Sequence, residues 1–193
     1  MILKSVVWLL GLGPLLWMAV RFGTDSLGAN PIEEVLHWAG RWTLILLLLG
    51  LAITPLRRLT RWHQIIKVRR LVGLFAFFYA SLHLTLYLGL DQGFAWSYIV
   101  DDVLDRPFIT SGMAAFLLLV PLAVTSTKGW IRRLGKRWQR LHRLVYPAAA
   151  LGSLHYFWKV KADTFWPLVA AVILVVLLMA RVPWKRAVGK APR

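Results

Sequence analysis

The chain has no cysteine and only eight acidic residues in 193. Without cysteine there is no disulfide framework, no thiol chemistry, no thiolate zinc and no iron–sulfur cluster. A phosphate-binding glycine loop is also missing, as is any Ser/His/Asp arrangement, so no catalytic residue is expected. Charged residues make up 17% of the chain, where a soluble domain carries about 25%. In their place stand 59% hydrophobic residues and 11 Trp, with a mean hydropathy of +0.62. That is too apolar for one soluble core, and it excludes disorder. The net charge of +16 and pI of 11.3 would suggest nucleic acid in a soluble protein. Combined with the hydropathy, they describe an integral membrane protein with cationic loops on one side.

A membrane-spanning helix needs roughly 17–25 mostly apolar residues. Six segments qualify: 5–20, 35–53, 71–90, 108–124, 141–158 and 165–182. The first contains Gly11, Gly13 and Pro14, and the second stops before Thr54-Pro55. A signal peptide is a poor reading of the first, which has only Lys4 ahead of it and no good cleavage site around Val20. The expected fold class is therefore an all-α integral membrane protein. It forms a six-transmembrane-helix bundle and a single domain over residues 1–193.

Alternate loops sort the charges. The N-terminus, the 54–70 loop, the 125–143 segment and the tail from Arg181 hold nineteen of the 24 basic residues and no acid. The opposite side holds Arg21, Arg41, Arg106, Lys159, Lys161 and all eight acids. The positive-inside rule then puts both termini in the cytoplasm. Most of these bases set topology and meet lipid headgroups. Trp residues near the expected helix ends form an interfacial belt. No internal repeat of the kind that marks a transporter is visible.

Ionisable residues within a membrane are functional candidates by default. His83 lies 13 residues after Arg70, or about 20 Å along a helix, and His155 lies 15 after Arg140, or about 22 Å. Both chains of residues enter from the same side, so the two His reach similar depth. Two neutral imidazoles on neighbouring helices can hold a haem iron from both faces, an arrangement for electron transfer. Ala80, Ser81, Ala148, Ala149 and Gly152 keep the surroundings small. His142 lies 13 residues before His155, about 20 Å nearer the cytoplasm, but about 140° away around an ideal helix. Pro147, between them, is a candidate for re-registering that helix. Arg70 stands 13 residues before His83. With Arg69 it suits haem propionates or a flavin phosphate, and Arg41 is a third candidate of this kind. The inner site is thus a haem with an unusual or absent second ligand, or a flavin or quinone site.

These residues fall within a recognisable pattern. Leu27-Gly28-Ala29-Asn30-Pro31, Arg69-Arg70-Leu71-Val72-Gly73 and Leu82-His83-Leu84-Thr85 belong to it. So do Arg106-Pro107-Phe108-Ile109-Thr110, Leu134-Gly135-Lys136-Arg137-Trp138-Gln139-Arg140-Leu141-His142 and His155-Tyr156-Phe157-Trp158. Across nearly the whole chain the pattern resembles the MsrQ family, haem-binding membrane subunits of the periplasmic methionine sulfoxide reductase system. That family in turn resembles the ferric-reductase transmembrane domain. In the wider family, four His on two helices hold two stacked haems. His83, His142 and His155 match three, with Arg70 at the fourth position.

The resemblance implies a b-type haem, FMN, and location in the bacterial inner membrane. Electrons would come from the quinone pool or a cytoplasmic flavin reductase. They would pass to MsrP, a periplasmic molybdoenzyme. A ferric- or quinone-type reductase, or a quinol-oxidising anchor for another partner, is the alternative. The acidic outer loop with Asp101, Asp102 and Asp105 is a candidate contact for the partner.

Overall fold

The computed structural model describes residues 2–160 and 162–181. Lys161, the end of the sixth expected span at Val182, and the tail bases Lys185, Arg186, Lys190 and Arg193 lie outside the described residues. Nine α-helices, with no strand, are formed among the described residues. They are α1 (Ile2–Gly23), α2 (Pro31–Thr60), α3 (Arg69–Leu86), α4 (Trp96–Asp105), α5 (Pro107–Val124), α6 (Lys128–Leu134), α7 (Lys136–Leu141), α8 (Val145–Lys159) and α9 (Phe165–Met179). A 3-10 turn (His63–Val68) leads into α3, and a π turn (Tyr87–Asp91) ends it.

Four helical stretches are long and apolar enough to cross a membrane: α1, α2, His63–Asp91 and α5. Helices α8 and α9 have 15 residues each and are shorter than a full span. Leu9, Val20, Leu117 and Val176 are all more than half exposed, a surface that lipid rather than water suits. The chain is a multi-pass membrane protein.

Helix α2 begins at a side-chain cap. Asn30 Oδ1 accepts from the Glu33 amide at 3.3 Å, and Pro31 takes the first helical position. It ends at Thr60, not at residue 53 as the Thr54-Pro55 pair predicts. Proline has no N–H, so the Leu51 carbonyl one turn earlier loses its intrahelical donor. Arg181 supplies a replacement: one guanidinium nitrogen donates to Leu51 O, and the other to Tyr146 Oη at 2.8 Å. The expected 54–70 loop thereby shrinks to Arg61-Trp62, where Arg61 adopts a left-handed φ of 57°.

Two further stretches differ from expectation. The region between the third and fourth spans contains α4, a ten-residue helix. It buries Ile99 and exposes Trp96, Tyr98 and Leu104. The expected fifth span is interrupted by a 3-10 turn at His142–Leu144, with Pro147 in the first turn of α8. The change of register therefore occurs at His142, not at Pro147, which sits where a missing N–H costs little.

Helix α1 is held against α3 by close approach. A Cβ on Gly11 would lie 2.6 Å from the Phe75 ring, and the fully buried Tyr79 donates its hydroxyl to Gly11 O at 2.7 Å.

Helix α2 packs chiefly on α3, and α5 chiefly on α8. These two hairpins share one register, offset by 72 residues: Leu36 matches Phe108, Gly40 matches Gly112, Leu47 matches Leu119, and His83 matches His155. The repeat lies in geometry more than identity, since pairs such as Leu44/Phe116 and Arg70/His142 share no side chain.

Candidate cofactor site

The two hairpins face each other across two cavities. The first, about 520 Å³ in volume, is lined by His83, His155, Gly40, Gly112, Ala80 and Gly152 among others. The second, about 560 Å³, is lined by His142, Arg69, Arg70, Arg143, Trp138 and Tyr146 among others. Both fall in the usual range for ligand pockets, about 300–1,000 Å³. Leu47 and Leu119 line both, so the cavities lie end to end.

In the first cavity, each His is oriented from behind by a main-chain carbonyl. His83 Nδ1 donates to Leu36 O at 2.9 Å, and His155 Nδ1 donates to Phe108 O at 2.7 Å. The partners are 47 residues apart in both cases. A carbonyl only accepts, so the proton is on Nδ1 and Nε2 carries a free lone pair. The ring centroids are 6.0 Å apart and the planes cross at 76°. A metal–imidazole bond is about 2.0–2.1 Å, so rings bonded to opposite sides of one ion would have centroids about 6 Å apart. The observed separation fits that arrangement. Among the described residues no group of three or more His, Asp or Glu could hold a bare ion. The pair therefore suits a metal that brings its remaining ligands with it in a flat, largely apolar frame.

His142 is not part of this pair. Its Nδ1 donates to Trp138 O at 3.2 Å, its ring stacks on the Trp138 indole at 3.8 Å, and its Nε2 is buried without a hydrogen-bond partner. Arg69 and Arg70 line the same cavity as His142, whereas Arg41 is exposed on α2 and lines neither cavity. Charge divides between the two ends. The first cavity is rimmed by Glu33, Asp91, Asp102, Arg106 and Lys159, and the second has three arginines and no acid. At the acidic rim Arg106 Nε meets Asp102 Oδ1 at 3.2 Å, and Tyr87 Oη donates to Asp102 Oδ2 at 3.2 Å.

Sequence reasoning missed Gly40, Gly112, the two orienting carbonyls and the rim bases Arg106 and Lys159. The glycines did leave a signal: each precedes its histidine by the same interval, Gly40 to His83 and Gly112 to His155.

Residues 39–153, more than half of the chain, match the ferric reductase like transmembrane component family, and the chain belongs to it. Within that class the chain falls with the MsrQ proteins. It is 56% identical over 193 residues to the protein-methionine-sulfoxide reductase heme-binding subunit MsrQ of Rhodospirillum rubrum, covering 98% of this chain and 93% of that one. Identity to the protein of the same name from Herminiimonas arsenicoxydans is 52% over 186 residues, covering 95% and 85%. For Caulobacter vibrioides it is 49% over 179 residues, covering 92% and 85%. No solved structure matches.

Proposed function

We propose that the chain is the haem-bearing electron-transfer subunit of a methionine sulfoxide reductase system in the bacterial inner membrane. The observation that carries this reading is the pair of imidazoles with centroids 6.0 Å apart, each with Nδ1 tied to a carbonyl. The names of the relatives support it. His83 and His155 would be the axial ligands of one b-type haem. Bound there, haem would supply a one-electron couple suited to passing electrons.

His142, with Arg69 and Arg70, would form the second redox site. Its buried Nε2 has no hydrogen-bond partner and is the candidate ligand there, and the arginines fit propionates or the phosphate of FMN. Arg41 is a further candidate for an anionic group, reached from the surface. The division between an acid-free, arginine-lined end and an acid-rimmed end supports six spans with both termini cytoplasmic. Electrons would enter at the arginine end from the quinone pool or a cytoplasmic flavin reductase. They would leave at the histidine end to the periplasmic molybdoenzyme MsrP. An interior-negative membrane potential favours that direction by about 2.3 kcal/mol per electron per 100 mV.

The test is the reduced-minus-oxidised absorption spectrum of the purified protein. A b-type haem band is expected. Its absence from protein made with ample haem supply would overturn the reading.

A further inference from the structure

The first cavity is built twice by one device. In each hairpin a carbonyl at one position takes the histidine Nδ1, and a glycine four residues later lies beneath the imidazole ring. An added Cβ on Gly40 would stand 3.0 Å from His83 Cε1 and 3.2 Å from its Nδ1. An added Cβ on Gly112 would stand 2.7 Å from His155 Nδ1 and 3.0 Å from its Cε1. By contrast Gly13, Gly73 and Gly152 have open space where their Cβ would be. Gly11, Gly28 and Gly89 would instead meet Phe75, Glu34 and Phe94, so among the described glycines only Gly40 and Gly112 would press on a histidine. In both hairpins this contact falls at the same register, one helical turn after the orienting carbonyl, where residues four apart share a face.

We propose that Gly40 and Gly112 are positioning residues that set the planes of His83 and His155 and thereby the character of the metal held between them. The proposal rests on the haem reading given above. The carbonyl fixes Nδ1 at one edge of the ring, and the bare glycine surface lets the ring lie flat on the helix. Together they leave the imidazole one orientation, and the two orientations cross at 76°. Outer-shell support of this kind fixes tautomer, ring direction and basicity of a metal-binding histidine.

The two glycines differ in strictness. Alanine at 40 asks the His83 ring to yield by a few tenths of an ångström. Alanine at 112 would crowd the atom that makes the 2.7 Å bond to Phe108 O, so the ring or the helix must shift at that bond.

The experiment compares wild type, Gly40→Ala, Gly112→Ala and Gly13→Ala as full-length proteins purified in detergent with matched haem supply. Haem per protein, the midpoint potential and the low-spin ferric electron paramagnetic resonance spectrum are measured for each. Wild type should show the large principal g value that crossed imidazole planes produce. Gly112→Ala should retain haem about 10- to 100-fold more weakly, the usual effect of losing outer-shell support. Gly40→Ala should keep its haem, with a shifted potential and a smaller principal g value. Gly13→Ala should match wild type in all three.

If Gly112→Ala yields no folded protein, the spectrum and potential of Gly40→Ala decide. Wild-type signals in both glycine variants would overturn the proposal and leave the haem assignment intact. A wild type without haem would overturn the haem reading and the proposal with it.

Discussion

The two cavities lie between the same pair of hairpins, yet they are equipped differently. The histidine cavity is symmetric: the same three elements, carbonyl, glycine and imidazole, come from each side. At the arginine cavity the register continues but the residues diverge. Position 142 is His, stacked on Trp138, while its counterparts across the cavity are Arg70 and Ile66. A symmetric pair of neutral ligands fits a metal that needs equal ligation on both faces. An asymmetric site with one free imidazole and several fixed positive charges fits a group that carries negative charge. The same scaffold thus provides one end suited to a metal and one suited to an anion.

The sharpest way to break this comparison is to remove a ligand from the symmetric end. His83→Ala or His155→Ala should abolish the haem of that cavity, read as loss of its band in the reduced-minus-oxidised spectrum. An unchanged haem content in either variant would reject the pairing.

His142→Ala tests the other end. The spectrum of the histidine pair should persist, while either a second haem or the entry of electrons from a reductase is lost. Stoichiometry and stopped-flow reduction distinguish these. Arg70→His should move the arginine cavity towards the symmetry of its neighbour, because 70 and 142 occupy equivalent register positions. The expected outcome is a rise in haem per protein, measured against wild type.

The smallest effect is structural. Arg181→Ala removes the donor to Leu51 O and Tyr146 Oη. Leaving a buried carbonyl unsatisfied costs about 1–3 kcal/mol, visible as a lowered unfolding temperature in detergent. Leu51 and Tyr146 line the arginine cavity and not the histidine cavity, so the spectrum of the histidine pair should be unaffected.

Much of the architecture was legible because apolar length and charge asymmetry are properties of the chain itself. Counting residues from the last arginine of each entry set His83 and His155 at one level, and their rings adjoin in the structure. What escaped depended on partners distant in sequence. Helix α2 runs through Pro55 because Arg181 replaces the lost donor, and nothing near Pro55 signals that. Helix α4 is ten residues long, too short for a span, and its composition did not separate it from a loop. Orienting carbonyls have no signature in a sequence, since every residue carries one. Arg41 follows Gly40, and that step around the helix turns it away from the cavity.

The constant offset makes each hairpin the counterpart of the other across the site. In symmetry terms it is an isologous contact, like the interface of a two-fold homodimer, in which each surface meets its own equivalent. Here both surfaces belong to one polypeptide, so α4 and its flanking turns act as the tether of an internal dimer. A true homodimer must change both copies of a residue at once. A tethered one is free to change a single copy, keeping histidine on both sides at one end and placing His142 opposite Arg70 at the other.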